Sequence, residues 1–272
     1  MPLLRPAATV KWLARAALPL LLCSGWAHAQ TPGCPQLIAS GNPEYPPFLW
    51  RDAQDETRLQ GANAELMQWL GREIGIPIEV RYVGSWARVQ EEARHGHVDL
   101  VAGAFFTAAR LEYMDYFYPA FQAARSMVWT RTDQRFAYAG WRDLQGKRGL
   151  TVISNSFDDE FDRFAKAKLA IHTVPTLEQA LRMLKAGRSD YLLYDENPAR
   201  AFAIKLGITD LAAASTPVSN ENLYLTLSHK SPCNSGEVRG RIARAMAKLG
   251  KEGGMRKLLD NALRAWRRQS AG

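Results

Sequence analysis

Strand and helix signals alternate along most of this chain, and that alternation restricts it to few architectures. Leu37-Ile-Ala-Ser40 is a short apolar run closed by Gly41. Residues 62–74 put Leu66, Trp69, Leu70 and Ile74 at helical spacing, and Gly75 and Pro77 stop the pattern. Ile78, Val80 and Tyr82 alternate with Glu79 and Arg81, as a strand with one buried face does. Ser85 can cap a second helix running through His95, and residues 98–102 return as a strand. The pattern repeats further on. Residues 149–153 read as a strand, and Thr176-Leu-Glu-Gln179 is a capping box opening a helix with Leu177, Leu181 and Leu184 on one side. Gly187 stops it, and Tyr191-Leu-Leu-Tyr194 follows as a strand. Such alternation implies an α/β fold with mainly parallel sheets.

An echo suggests two lobes of one design. Gly96-x-x-Asp99 leads into Leu-Val-Ala-Gly103, and Gly187-x-x-Asp190 leads into Tyr-Leu-Leu-Tyr-Asp195. Each is a helix stop, an aspartate and then a strand. In open α/β sheets ligands gather beyond the carboxyl ends of strands, and both echoes end there.

The first 29 residues read as an address. Arg5, Lys11 and Arg15 precede an apolar run from Ala16 to Trp26, and Ala27-His-Ala29 is a small-x-small cleavage site. These are the three regions of a secretory signal peptide. The run is short for a membrane span, which needs about 20 residues. The mature chain is therefore expected to be exported and to start near Gln30. Cleavage also removes Cys23 and leaves Cys34 and Cys233. Two cysteines in an oxidising compartment read as one disulfide, with two free thiols as the alternative.

The chain has 272 residues and a net charge of +8. Losing three cations with the leader leaves +5. Residues 237–272 hold ten Lys/Arg against three Asp/Glu, so the basicity belongs to a helical tail. That tail is either a solvated helix face or a docking surface for a membrane partner or anionic headgroups. An exported protein rarely meets nucleic acid, and no nucleic-acid partner is expected.

Catalytic signals are thin. His95 and His97 stand two apart at a helix stop with no cysteine nearby, which is no zinc pattern. His172 and His229 are isolated. A Gly-x-Ser-x-Gly elbow, a phosphate loop and a dinucleotide fingerprint are all missing. No metal, no cofactor and no catalytic residue is expected. What stands out is a set of aromatics and two opposite charges at loop positions. Tyr45-Pro-Pro-Phe48 follows the first strand, Trp86 opens the second helix, Gly103 is followed seven residues later by Arg110, and Asp195 ends a strand.

These elements, in this order, resemble the family 3 periplasmic solute-binding proteins of amino-acid ABC transporters, over residues 36–268. The resemblance implies a type II periplasmic-binding-protein fold of two α/β lobes joined by a two-strand hinge. Lobe one would be 36–129 with 218–272, lobe two 132–216, and the hinge would lie near 129–131 and 217–219. It also implies a ligand site. Tyr45 and Trp86 would sandwich the ligand side chain. Arg110 would grip an α-carboxylate, for which a guanidinium fork is suited. Asp195 would take the α-ammonium. Backbone N–H groups near Gly103 and near Asn155-Ser156, the latter at an expected helix start, would add donors. The residues alone leave other roles open: a surface ion pair of Arg110 with Glu112 or Asp115, a helix cap at Asp195, and plain core at Tyr45 and Trp86.

This sequence departs from the family pattern in places. Phe105 stands where a hydroxyl residue is usual, and Asn155-Ser156 replaces Gly-Thr. Asn42 stands where members that bind cationic amino acids often carry an acid. A polar uncharged or aromatic amino acid is therefore expected as ligand, bound by a monomer that delivers it to an ABC permease. Two rivals share the fold. One is a periplasmic cyclohexadienyl dehydratase, for which Asp158, Asp159, Glu160 or Glu196 could supply an acid. The other is a ligand-sensing module serving a separate receptor.

Overall fold

A computed structural model describes residues 34–271. The expected leader, 1–29, lies outside the described residues. The described residues open with β1 (Leu37–Ser40) and a small three-stranded sheet of β2 (Glu44–Tyr45), β3 (Leu49–Arg51) and β4 (Leu59–Gln60). Helix α1 (Ala62–Ile74) buries Leu66, Met67, Leu70 and Ile74, a stripe at helical spacing, and ends on Gly75 in the left-handed conformation. Then come β5 (Ile78–Val80), α2 (Trp86–His95), β6 (Leu100–Phe105) and the long β7 (Met114–Arg131). Ser85 caps α2 by accepting the Arg88 N–H, as its position implies. The second half comprises β8 (Arg148–Val152), α3 (Asp159–Lys168), β9 (Ala170–Val174), α4 (Leu177–Lys185), β10 (Tyr191–Asp195) and α5 (Glu196–Lys205). Strand β11 (Leu211–Ser228) returns to the first half, and α6 (Gly236–Glu252) and α7 (Met255–Ala271) close the chain.

Eight strands form one mixed sheet in the order β5-β1-β6-β11-β7-β10-β8-β9. The outer strands on each side pair in parallel, and β11 and β7 run antiparallel through the middle. This is the α/β architecture the alternation implies, with a mixed rather than mainly parallel sheet. The echo has a shared physical role. Asp99 accepts the Ile38 N–H at 2.7 Å and Asp190 accepts the Arg148 N–H at 2.7 Å. Each carboxylate thus pins the parallel neighbour of its own strand.

The register locates the connection between the halves. Strand β6 pairs with β11 at residues 223–227, and β10 pairs with β7 at residues 126–129. Between them Ala123, Ala124 and Arg125 pair only with Asn222, Glu221 and Asn220. The sheet is two strands wide there. This corrects one expected crossing: Trp129 already lies in the ladder with β10, opposite Leu192. A continuous strand carries no turn residue to mark where its partner changes. At the expected crossing of 217–219 the register of β11 against β7 shifts, at Pro217 and Ser219, next to the segment that is two strands wide.

A disulfide joins Cys34 to Cys233. Among the described residues no helix is long and apolar enough to cross a membrane. On α7 the buried Ala262 and Trp266 face inward, Trp266 meeting Trp50 and Phe202 edge-on and tilted. Its outward Arg256, Lys257, Arg264, Arg267 and Arg268 form no ion pair among the described residues.

Candidate functional site

The carboxyl ends of β1, β6 and β10 and the loop after β8 converge on one cavity between the halves. Its empty space, open mouth included, is about 400 Å³. All eight expected residues line it: Tyr45, Trp86, Gly103, Phe105, Arg110, Asn155, Ser156 and Asp195. Asn42, Phe157, Tyr194 and Leu223 complete much of the wall.

Arg110 is only 5% exposed. It forms no ion pair with Glu112 or Asp115; the latter instead pairs with His229 and Arg239. Its guanidinium donates to the Phe105 carbonyl at 3.0 Å, to Gln90 Oε1 at 3.3 Å and to the Ser154 carbonyl at 3.5 Å. It also lies 5.4 Å from the Trp86 ring centroid, within cation–π range. Every hydrogen-bond partner is neutral, so the buried cation stands at the cavity wall without a directly bonded counter-charge, and Asp162 acts on it only through space. Ser154 is the one described non-glycine residue with a positive φ, 64°. That strained backbone brings its carbonyl to Gln90 and Arg110 in the opposite half.

Asp195 is 8% exposed and occupies the N-cap position of α5 without capping it. Its carboxylate turns instead to Tyr45, which donates at 2.6 Å, and to Ser126, which donates at 2.5 Å. Burial pushes this carboxyl up to about 6, against the lowering effect of those two hydrogen bonds. Burial, reinforced by the adjacent Asp195, holds the Tyr45 phenol well above its ordinary value, so it stays a donor. Tyr45 and Trp86 are both buried in the core and both exposed to the cavity, so packing and lining are one placement.

Two expectations change. Helix α3 starts at Asp159 with Asp158 as its cap, so Asn155 and Ser156 sit in the approach loop and face no helix start. The first turn also carries Asp159, Glu160 and Asp162, which disfavours an anion there. The Asn155 N–H goes to the Val152 carbonyl, and the Ser156 hydroxyl goes to Asp162 at 2.5 Å. The chain's own carbonyl thus takes up one of the expected backbone donors, that of Asn155. The acids weighed for an enzyme are outside the lining: Asp158 caps α3, Asp159 accepts the Ala108 N–H, Glu160 is exposed and Glu196 pairs with Arg125 and Arg200. His95 and His97 are exposed beside Glu91 and Glu92, and no metal-holding cluster occurs among the described residues.

Gln90, Ser126, Ser154 and Tyr194 escaped the sequence reading. Gln90 was within reach, because it lies one helical turn beyond Trp86 on the same face of α2. Ser126 was not, since it meets Asp195 only through the antiparallel pairing of β7 with β10.

The model of the bacterial extracellular solute-binding proteins, family 3, matches residues 37–265. The chain belongs to that family. No curated protein matches the sequence. Among solved structures, a histidine kinase sensor domain with similarity to periplasmic binding proteins superposes with a TM-score of 0.72 at 20% identity, covering 85% of this chain and 96% of that one. The amino-acid ABC transporter substrate-binding protein AbpA from Streptococcus pneumoniae, bound to L-arginine, gives 0.71 at 20% identity, with coverages of 85% and 96%. A mutant of ArgBP from T. maritima gives 0.70 at 19% identity, with coverages of 84% and 95%. These likenesses establish the type II periplasmic-binding-protein fold, and with the family they make this chain a solute-binding protein.

Proposed function

We propose that this protein captures a zwitterionic amino acid between its two lobes, in the periplasm, and delivers it to an ABC permease. One observation carries the reading. A buried guanidinium and a buried carboxylate, Arg110 and Asp195, face the same cavity, and neither has an ionic partner among the described residues. An unpaired buried charge costs several kcal/mol. An α-carboxylate on Arg110 and an α-ammonium on Asp195 relieve both costs at once. The lobes are 34–122 with 223–271, and 126–219, hinged on the two-stranded segment between them. Arg110 lies in the first and Asp195 in the second, so a ligand touching both favours the closed form, as only contacts differing between states can do.

The remaining wall is mostly aromatic and aliphatic: Tyr45, Trp86, Phe105, Phe157, Tyr194 and Leu223. Asn42 donates to the Tyr194 hydroxyl, and Glu44 turns to α4, so neither brings charge to the cavity. This favours an uncharged, polar or aromatic side chain, whereas AbpA holds arginine.

A thermal-shift screen of the twenty amino acids tests the reading. A true ligand at about 100 times its dissociation constant adds about 2.7 kcal/mol. Arg110→Ala abolishes that shift, and Arg110→Lys, which keeps the charge but loses the fork, recovers little of it. Undiminished affinity in Arg110→Ala by calorimetry overturns the scheme. Similarity to a kinase sensor domain favours a second reading, delivery to a receptor. Stimulation of a permease ATPase by the loaded protein decides between the two. Turnover of prephenate or arogenate marks an enzyme instead.

A further inference from the structure

The cavity accounts for Tyr45 but not for the residue beside it. Glu44 opens β2 in the first half, and its carboxylate reaches into the second. It accepts the Leu177 N–H at 2.6 Å and lies 3.5 Å from the Glu178 N–H, the first two amides of α4. The helix's own cap, Thr176, accepts only the third, from Gln179, at 3.2 Å. A helix leaves its first amides without internal partners. Here one hydroxyl from the same half and one carboxylate from the opposite half satisfy them together. The negative group also sits at the favourable end of the helix dipole.

More bonds leave the same short segment for the second half. Asn42 donates to the Tyr194 hydroxyl at 3.0 Å, that hydroxyl reaches the Glu44 carbonyl at 3.5 Å, and Tyr45 donates to Asp195. Tyr194 and Asp195 end β10. The chain makes every one of these contacts by itself. Opening the hinge breaks them and returns the Leu177 amide to water.

We propose that Glu44 is a positioning residue that latches the first lobe onto α4 and holds the cleft closed before a ligand enters. The proposal rests on the two-lobe closure set out above. It bears on affinity because apparent binding scales with the fraction of molecules already in the competent state. A latch raises that fraction with no contact to the ligand.

Small-angle X-ray scattering of the ligand-free mature protein tests this. The wild type scatters as the compact, closed form. Glu44→Ala moves the closed-to-open ratio about tenfold toward open, the scale set by losing one charge-assisted hydrogen bond, and the radius of gyration grows. Glu44→Lys, which sets a positive charge against the helix N-terminus, opens the cleft at least as far, and Glu44→Gln keeps an acceptor and stays largely closed. Thr176→Ala loses only the internal cap, so it melts earlier and scatters as the wild type does. An open wild type overturns the latch, as do Glu44→Ala and Glu44→Lys curves superimposing on the wild type, with or without a lowered melting temperature. No amino acid is added, so these curves read alike whether or not the ligand assignment holds.

Discussion

Arg110 and Asp195 illustrate how a site stores electrostatic cost. The guanidinium is hydrogen-bonded to carbonyl and amide oxygens and to no carboxylate, while Asp195 has two hydroxyl donors and no cation. The sign of the consequence for Asp195 is definite. Its pKa stands at about 6 in the fold against an ordinary 3.8, so the folded chain holds that proton more tightly than the unfolded one. The ionised carboxylate therefore opposes folding. The penalty is absent below about pH 4, grows as the pH rises to 6, and is about 3 kcal/mol beyond it. In Asp195→Asn, denaturant titrations from pH 4 to 8 lose that downward slope, and the ligand-free protein gains about 1–3 kcal/mol at pH 7. On the proposed binding scheme the same variant binds an amino acid more weakly, because the ammonium loses its counter-charge. In the wild type, binding below pH 6 releases a proton, which calorimetry in buffers of different ionisation enthalpy reads directly. A variant that keeps the wild-type slope shows that the titrating group is another.

At the scale of elements, the strand and helix starts and stops were largely legible, because capping and glycine stops act within a few residues. Ser85 and Thr176 cap the helices they precede. Beyond the Thr176 cap, the first two amides of α4 go to Glu44, 133 positions before Leu177, which no local spacing can reveal. The start of α3 was misplaced for a related reason: Asn155, Ser156 and Asp158 are all good cap types, and only packing selects Asp158. Gly103 is the most demanding position in β6. Its φ is +114°, and an added Cβ would lie 3.1 Å from Asn63 Nδ2, the group that donates to the Ala102 carbonyl at 2.6 Å. Gly103→Ala thus combines backbone strain with displacement of a buried amide, and chemical denaturation is expected to show a loss of about 2 kcal/mol or more. Loss of under half that value means Asn63 can move without cost.

The described residues form a main sheet pinched to two strands in the middle, with Cys34 tied to Cys233 on one side. Cysteine arithmetic alone foresaw the tie; the pinch appears only in the register. Cys34 precedes β1 and Cys233 lies between β11 and α6, both beside the Gln36 carbonyl in the first lobe. The bridge spans a sequence separation of 199 residues. On the proposed lobe division, the second lobe and both connecting strands lie inside the closed loop, and both anchor points fall in the first lobe. A cross-link of that length restricts the unfolded chain strongly, by about 5 kcal/mol in the chain-entropy limit and more often about 2–4 in practice. On that division the bridge crosses no moving boundary and leaves closure alone. The double variant Cys34→Ser, Cys233→Ser should accordingly unfold about 2–4 kcal/mol more easily in urea, and its amino-acid affinity at a temperature well below melting should match the wild type. A changed affinity would mean that the bridge reaches across the hinge energetically and that the first lobe does not move as one piece.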